Sequence, residues 1–188
     1  MGRWKARSTL LNAGGARNFA DEMRIGVALG SNLGDRLANL RAARKAIVDL
    51  TVANGSILES PVYESEAVGC EPGAGKFLNA VLEIEYDGDP TDLLQELIRI
   101  EESLGRDRNH PRNVSRKIDI DLLYADGLNV GNERLQLPHP RLHLRKFVLQ
   151  PLADFRPELI LPNQTKTVGE LLAQTGDSTK VTCFAEKW

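Results

Sequence analysis

Hydrophobic and polar residues alternate in short stretches along this chain, and the period of each stretch predicts its element. The stretch RIGVALG (24–30) predicts a strand, and after the turn GSNLGD the apolar residues recur at helical spacing. The stretch FLNAVLEIEY (77–86) alternates with a period of two, which predicts another strand, longer than the short first one. The residues that we expect on its core side are Leu78, Ala80, Leu82, Ile84 and Tyr86.

Cap and turn residues mark the elements in the second half of the chain. Asp89 as N-cap, Pro90 in the first turn and Gly105 after the last apolar position predict a helix between them. The stretch LNVGNERLQLP (128–138) predicts a hairpin, and PRLHLRKFVLQPLADF (140–155) predicts helical turns. Because hairpins imply antiparallel pairing and helices are mixed with strands, we predict a single α+β domain over 23–188, with an antiparallel-rich sheet packed between helices.

Composition favours an ordinary soluble domain. The chain has 188 residues, 41% of them hydrophobic, a formal net charge of −2 and a pI near 6.0, which argues against disorder and against a basic nucleic-acid-binding surface. No apolar run approaches the roughly 18 residues that span a bilayer, so we expect no membrane partner. Cys70 and Cys183 lack CxxC spacing, which favours a reduced, cytoplasmic protein without structural zinc. We expect residues 1–22 to form a flexible N-terminal extension.

Candidate chemistry begins in RKIDIDLLY (116–124), where Asp119 and Asp121 stand two positions apart in a predicted strand. Side chains at this spacing share one strand face, about 6 to 7 Å apart, so the carboxylates repel unless a cation lies between them. Mg²⁺ fits, because it binds through one or two carboxylates together with water and substrate phosphates. The residues expected on the buried side are Ile118, Ile120, Leu122 and Tyr124.

A basic segment, GRDRNHPRNVSRK (105–117), leads directly into this strand. Its cations are Arg106, Arg108, Arg112, Arg116 and Lys117. Arginine pairs bidentately with phosphate oxygens, so a basic loop beside two carboxylates is suited to a polyphosphate and its magnesium. The upstream stretch PGAGKF (72–77) is not a P-loop, because Cys70 stands where that motif needs glycine and Phe77 where it needs serine or threonine.

Several spaced motifs together resemble one family. ALGSNLGDR, FLNAV, GR-R, RKIDIDLLY and LPHPRLHLRKFVLQPL, in this order, are similar to the 6-hydroxymethyl-7,8-dihydropterin pyrophosphokinases of folate biosynthesis, from about residue 24 to about residue 162. The resemblance implies transfer of the diphosphate of ATP to the hydroxymethyl group of the pterin, which leaves AMP. It also implies the fold of that family, an α/β/α sandwich derived from the ferredoxin-like arrangement.

The same resemblance implies roles for individual residues. Two Mg²⁺ ions are expected on Asp119 and Asp121, and the catalytic set adds Arg106 and Arg116. The residues expected to bind ATP are Glu101, Arg108, Arg116, Leu122, Arg134, His139 and Arg145. Those expected to bind the pterin are Ser65, Val68, Phe77, Asn79, Asp119 and Phe147, with the two phenylalanines as aromatic plates and Asn79 reading the ring edge.

One departure from the family pattern lies in the basic segment. The family commonly carries RWGPR before the acidic strand, whereas this chain reads RNVSR and has Asn113 where tryptophan is usual. Two alternatives remain open: another Mg²⁺-dependent nucleotidyl or phosphoryl transferase, and an RNA-binding module. The expected partners are ATP and 6-hydroxymethyl-7,8-dihydropterin, without nucleic acid, on a protein that we expect to be a monomer, with a dimer as the alternative.

Overall fold

The strands predicted at RIGVALG and FLNAVLEIEY lie side by side in the middle of one sheet, and the first is longer than predicted. The computed structural model describes residues 22–53, 55–106 and 115–188. Its strands are β1 (Met23–Ser31), β2 (Ile57–Glu59), β3 (Val62–Ser65), β4 (Phe77–Tyr86), β5 (Asp119–Ala125), β6 (Val130–Gly131), β7 (Gln136–Leu137) and β8 (Val181–Ala185). Its helices are α1 (Arg36–Val48), α2 (Pro90–Ser103), α3 (Lys146–Ala153) and α4 (Val168–Gln174), with a 3₁₀ turn at Leu142–Leu144.

Every strand pairing in the described residues is antiparallel. The main sheet has the order β5-β1-β4-β3-β8, with β2 also paired to β4, and β6 with β7 forms a separate hairpin. The α+β class, the hairpin and the helical turns are therefore confirmed. The caps of α2 are confirmed too, since the Asp89 side chain accepts a hydrogen bond from the Thr91 N–H at 2.6 Å and Gly105 adopts a φ of 93°.

Helices cover the two faces of the sheet unequally. On one face, α1 and α2 pack over an apolar cluster that includes Val27, Leu82 and Ile120, in line with the predicted core side of β4. On the other face, α3 and α4 form a second cluster with Val81 and Leu123. Helices on both faces agree with the predicted sheet between helices, and β4 is buried on both faces along most of its length.

A bulge in β5 corrects one prediction about facing. Val27 pairs with Leu122 but Gly26 pairs with Tyr124, so Leu123 is an extra residue in β5. Tyr124 therefore does not lie with Ile120 and Leu122, as alternation predicted, but in the second cluster. Its ring occupies the space over Gly26, where an added Cβ would approach the Tyr124 ring to 2.2 Å. Glycine is required at position 26 for this close approach.

The last part of the chain adds two elements that were not predicted from the sequence. α4 begins with a capping box, in which Thr167 and Glu170 satisfy each other's backbone N–H groups. β8 pairs with β3 and is the edge strand on that side of the main sheet. The predicted N-terminal extension, 1–22, lies outside the described residues apart from Glu22. Within the described ranges, no helix combines the length and the apolar character that a membrane crossing requires.

Candidate active site

A cavity of about 740 Å³ opens over the part of the second sheet face that α3 and α4 leave uncovered. It brings together most of the residues predicted for the site from distant parts of the chain. These are Ser65, Val68, Phe77, Asn79, Glu101, Arg106, Arg116, Asp119, Asp121, Arg145 and Phe147. Their convergence is a result of strand pairing, because β5 and β4 both lie next to β1.

The register of the three central strands sets the geometry of the cavity floor. Gly30 of β1 pairs with Asp119 on one side and with Asn79 on the other. Directly paired residues point to the same face of a sheet, so these three positions form a row. A Cβ built on Gly30 would lie 3.6 Å from Asn79 Oδ1 and 3.9 Å from Asp119 Cβ. The missing side chain therefore leaves a gap in the floor between the carboxylate and the amide.

The two aspartates share one face, as predicted, and arginines surround them. Asp119 Oδ1 accepts hydrogen bonds from Nη1 of Arg106 and Nη1 of Arg116, each at 2.8 Å. Asp121 Oδ2 lies 3.9 Å from Nη1 of Arg145. The cavity floor therefore carries two carboxylates with a guanidinium group within reach of each.

The acidic pair fits a divalent cation. Burial and then the charge of Asp119 raise the pKa of Asp121, so the second negative charge is disfavoured where it stands. A cation between the two carboxylates would relieve this cost. Among the described residues, no group of three or more histidine, cysteine, aspartate or glutamate side chains is arranged for a metal ion. A two-carboxylate donor set is the one that Mg²⁺ uses together with water and phosphate oxygens.

Glu101 connects α2 to the acidic strand. Its side chain is 5% exposed, and its Oε1 accepts a hydrogen bond from the Ile120 N–H at 2.7 Å and another from Arg106. Burial raises the pKa of Glu101 to about 7. The Glu101 carboxyl group therefore lines the cavity wall, orients Arg106 and holds β5 in place.

Three of the predicted ATP-binding residues lie in a neighbouring cavity of about 310 Å³. Leu122, Arg134 and His139 line it, and Asp121 lines both cavities. Burial lowers the pKa of His139, which favours the neutral imidazole, and its Nδ1 accepts a hydrogen bond from the Arg141 N–H at 3.2 Å. The two cavities meet at Asp121.

The opposite end of the main cavity is aromatic and amide-bearing. Asn79 is 6% exposed, and its Nδ2 donates a hydrogen bond to Ser65 Oγ at 2.9 Å, which fixes the orientation of the amide. Phe77 and Phe147 line the same cavity, and the Arg145 guanidinium lies 5.4 Å from the centroid of the Phe147 ring. Arg145 thus contacts both the aromatic end and the acidic pair.

Comparison with known sequences identifies the family. A sequence model described as 7,8-dihydro-6-hydroxymethylpterin-pyrophosphokinase (HPPK) matches residues 26–157. The chain belongs to this family. The 2-amino-4-hydroxy-6-hydroxymethyldihydropteridine pyrophosphokinase of Haemophilus influenzae is 38% identical over 151 residues, covering 80% of this chain and 92% of that protein. The enzyme of the same name from Bacillus subtilis is 41% identical over 128 residues, covering 68% and 75%.

Solved structures agree on the fold of this chain. The crystal structure of Plasmodium falciparum HPPK-DHPS wild type with pterin and p-hydroxybenzoate matches with a TM-score of 0.63 at 15% identity. The match covers 84% of this chain and 44% of that one, so this chain spans less than half of the Plasmodium protein. The resemblance inferred from the sequence, the membership in an enzyme family and the fold class are confirmed.

Several residues that line the main cavity were not predicted. Arg141 lines the cavity beside Arg145, and Gly30 shapes its floor. A signal for Arg141 was present, since it stands among several basic residues in the PRLHLRK stretch. Gly30 had none, because its importance depends on the strands paired on either side. Arg108, predicted to bind ATP, and Asn113 lie outside the described residues.

Proposed function

We propose that this protein transfers the diphosphate of ATP to the hydroxymethyl group of 6-hydroxymethyl-7,8-dihydropterin and releases AMP. The observation that carries the proposal is the row Asp119, Gly30, Asn79 on the cavity floor. It sets a carboxylate with two arginines beside an amide with two phenylalanines nearby. One end is suited to a polyphosphate and the other to a flat polar heterocycle, with an open gap where the two substrates would meet.

Asp119 and Asp121 would hold Mg²⁺, for which we propose two ions. Bound there with ATP, the ions would neutralise charge on the attacking and leaving oxygens of an in-line displacement at the β-phosphorus. Cations held by the two carboxylates would also reduce the repulsion between the carboxylates and the phosphates. Loss of either carboxylate should therefore reduce turnover more than it reduces pterin binding.

The arginines would bind and orient the triphosphate. Arg106 and Arg116 now contact Asp119, and their guanidinium groups have further N–H donors that can bind phosphate oxygens. Glu101 would keep Arg106 in place during this exchange of partners. Arg134 and His139 would contact the nucleotide in the neighbouring cavity. Positioning accounts for most of the catalysis in phosphoryl transfer, so these contacts would act mainly on geometry.

The aromatic end would bind the pterin. Phe77 and Phe147 would supply flat apolar contact, and Val68 would add apolar area at the mouth. The Asn79 amide has two N–H donors and a carbonyl oxygen, and among the described residues one of its N–H groups is used, by Ser65. The remaining donor and acceptor can pair with the complementary edge of the ring. We also propose that the protein acts in the cytoplasm and that it is a monomer. Light scattering would test the monomeric state.

The decisive experiment measures AMP release from ATP and Mg²⁺, with and without 6-hydroxymethyl-7,8-dihydropterin. The wild type should form AMP only when the pterin is present, and Asp119→Ala should lose that activity. Asp92→Asn is the matched control, because it removes an exposed carboxylate of α2 and should keep wild-type turnover.

Other outcomes would identify a different function. AMP or ADP formation that does not depend on the pterin would indicate another Mg²⁺-dependent transferase or a hydrolase. Salt-dependent RNA binding without pterin binding would indicate an RNA-binding module. Either result, obtained with folded protein, would overturn the proposal.

A further inference from the structure

Asp177 caps the first turn of α3 from a distant part of the chain. It lies between α4 and β8, and its Oδ2 accepts a hydrogen bond at 2.8 Å from the N–H of Lys146, 31 positions earlier. The first N–H groups of a helix have no partner within the helix, and a carboxylate is a favoured acceptor for them. Arg145 occupies the N-cap position of α3, but its side chain makes no capping hydrogen bond. Asp177 therefore supplies a cap that the sequence next to α3 lacks.

The Asp177 carboxylate is itself held in a fixed orientation. Its Oδ1 accepts hydrogen bonds from the Thr179 N–H at 2.9 Å and from the Thr179 hydroxyl, and its own N–H donates to Thr175 Oγ1 at 3.2 Å. Burial by itself would raise the pKa of Asp177, but hydrogen bonds from Thr179 and from the Lys146 N–H lower it. The group is thus a fixed anion at the N-terminus of α3, where the helix dipole stabilises negative charge.

The residues on either side of Lys146 are both candidate site residues. Nη1 of Arg145 lies 3.9 Å from Asp121 Oδ2, and the Arg145 guanidinium lies 5.4 Å from the centroid of the Phe147 ring. Arg145 and Phe147 line the main cavity, whereas Asp177 lines neither of the two cavities. The hydrogen bond from the Lys146 N–H to Asp177 therefore fixes the backbone between the side chain at the acidic pair and the side chain at the aromatic end.

We propose that Asp177 is a positioning residue that orients Arg145 and Phe147 for substrate binding by fixing the first turn of α3. The inference rests on the proposed function for the identity of the two substrates. Asp177 lies after residues 26–157, the range that the family model matches. A pre-organised cavity wall lowers the ordering cost of binding, and loss of the cap restores that cost. The C-terminal part of the chain thus contributes to binding through α3, without a residue of its own in the cavity lining.

Asp177→Ala removes the cap and leaves every cavity-lining side chain in the protein. We expect KM for ATP and KM for the pterin each to rise about 3- to 10-fold, the effect of one ordinary hydrogen bond, because Arg145 and Phe147 are then less well ordered. The kcat should stay within about twofold of the wild type, since the acidic pair is unchanged. Asp177→Asn keeps an oxygen acceptor for the Lys146 N–H and should raise both KM values less than Asp177→Ala does. Unchanged KM values in Asp177→Ala would overturn the proposal.

A second helix cap separates positioning from stability. At the start of α4, Thr167 Oγ1 accepts a hydrogen bond from the Glu170 N–H at 3.2 Å, and Thr167 lines neither cavity. Loss of either cap should lower the melting temperature by about 1 to 8 °C. Thr167→Ala should nevertheless leave both KM values unchanged, whereas Asp177→Ala should raise them. An equal rise in the two variants would show a general loss of stability and would contradict a positioning role.

Two further measurements test whether Asp177 acts through α3. The Lys146 N–H should exchange with solvent at least about tenfold faster in Asp177→Ala than in the wild type, because its acceptor is gone. Unchanged exchange would show that the cap does not form in solution. In an Arg145→Ala background, the addition of Asp177→Ala should raise KM for ATP less than about twofold, because the side chain through which it acts on ATP is already missing. A full 3- to 10-fold rise in that background, like unchanged exchange, would overturn the proposal.

The positioning role and the proposed function can fail independently. A wild type that forms no AMP would overturn the proposed function alone. The exchange measurement does not require turnover, and calorimetric affinities for ATP and for the pterin would then replace the KM values in the same set of variants. Equal affinities in the wild type and Asp177→Ala would overturn the positioning role, whatever reaction the protein catalyses.

Discussion

The two faces of the sheet differ in what the helices leave open. Under α1 and α2 the face is apolar and fully covered, with Val27, Leu82 and Leu97 all 0% exposed. The opposite face is divided: α3 and α4 cover the half that holds Val81 and Leu123, and the other half is the floor of the main cavity, the candidate active site. One face of the sheet therefore stabilises the fold through its apolar core, and part of the other face carries the charged side chains of the candidate site.

The divided face carries charged side chains in both of its halves, but the two halves stabilise these charges in different ways. In the covered half, Glu83 is 3% exposed and is satisfied by Arg156 and by the Tyr124 hydroxyl at 2.6 Å. In the open half, Asp119 and Asp121 face the cavity, where substrates and cations can reach them. A buried charge with fixed partners is structural, whereas a charge that can change partners is available for catalysis.

Asp121→Asn should give the largest effect, and on activity alone. We expect kcat to fall about a thousandfold, the size typical of losing a charge-stabilising group in an active site. The free energy of unfolding should stay the same or rise, because one of two repelling carboxylates is removed. Steady-state kinetics and urea unfolding of the same preparation measure both quantities. Full activity in Asp121→Asn would exclude a metal-binding role for this residue.

Leu82→Ala should give the opposite result on the covered face. The side chain is 0% exposed, and truncation of such a leucine costs about 2 to 5 kcal/mol of unfolding free energy. The kcat of the molecules that remain folded should be unchanged, as measured well below the melting temperature. A loss of kcat without loss of stability would mean that the two faces are not separate in function.

Glu101→Gln should change how stability depends on pH. Burial raises the pKa of Glu101 from 4.5 to about 7, so between these values the folded state keeps a proton that the unfolded state has lost. Folding therefore becomes less favourable as pH rises through this window, by on the order of 1 to 3 kcal/mol. Glu101→Gln should remove that decline in urea unfolding at pH 5 and pH 8, and Glu158→Gln, at an exposed acid, should keep it.

Gly30→Ala should narrow the open half of the cavity floor without lowering the stability of the protein. The added Cβ meets Asn79 Oδ1 at 3.6 Å, an ordinary contact, and alanine in a strand is favoured over glycine by about 0.5 to 1 kcal/mol. The variant should thus be as stable as the wild type or more so. It narrows the gap between Asp119 and Asn79, and we expect KM for the pterin to rise about tenfold, as for one lost contact. An unchanged KM would place the substrates elsewhere in the cavity.

Arg99→Ala should have the smallest effect. Arg99 pairs with Glu96 on α2, but its side chain is 68% exposed. Exposed ion pairs of this kind contribute about 0 to 0.5 kcal/mol, and we expect no change in kcat or KM. Thermal unfolding and kinetics measure both. A larger effect would show that the outer side of α2 is part of the site.

Prediction from sequence succeeded where a residue's role depends on its neighbours in the chain. The period of β4, the caps of α2 and the shared face of Asp119 and Asp121 were all correct. Prediction failed at Tyr124, because the bulge at Leu123 arises from pairing with β1 and from the space over Gly26. The hydrogen bonds that join Asn32, Ser115 and Glu71 were missed for a similar reason, since these residues are far apart in the chain.

The sequence by itself determined most of the elements, though not α4 and β8, together with the residue types of the site and the family, because periodicity, caps and spaced motifs are local properties of the chain. The tertiary structure decided which half of the second sheet face stays open. That choice depends on where α3 and α4 pack and on the β5-β1-β4 register, in which paired residues are 47 to 100 positions apart in the chain. Such contacts are set by the packing of the whole chain, and no single stretch of sequence encodes them.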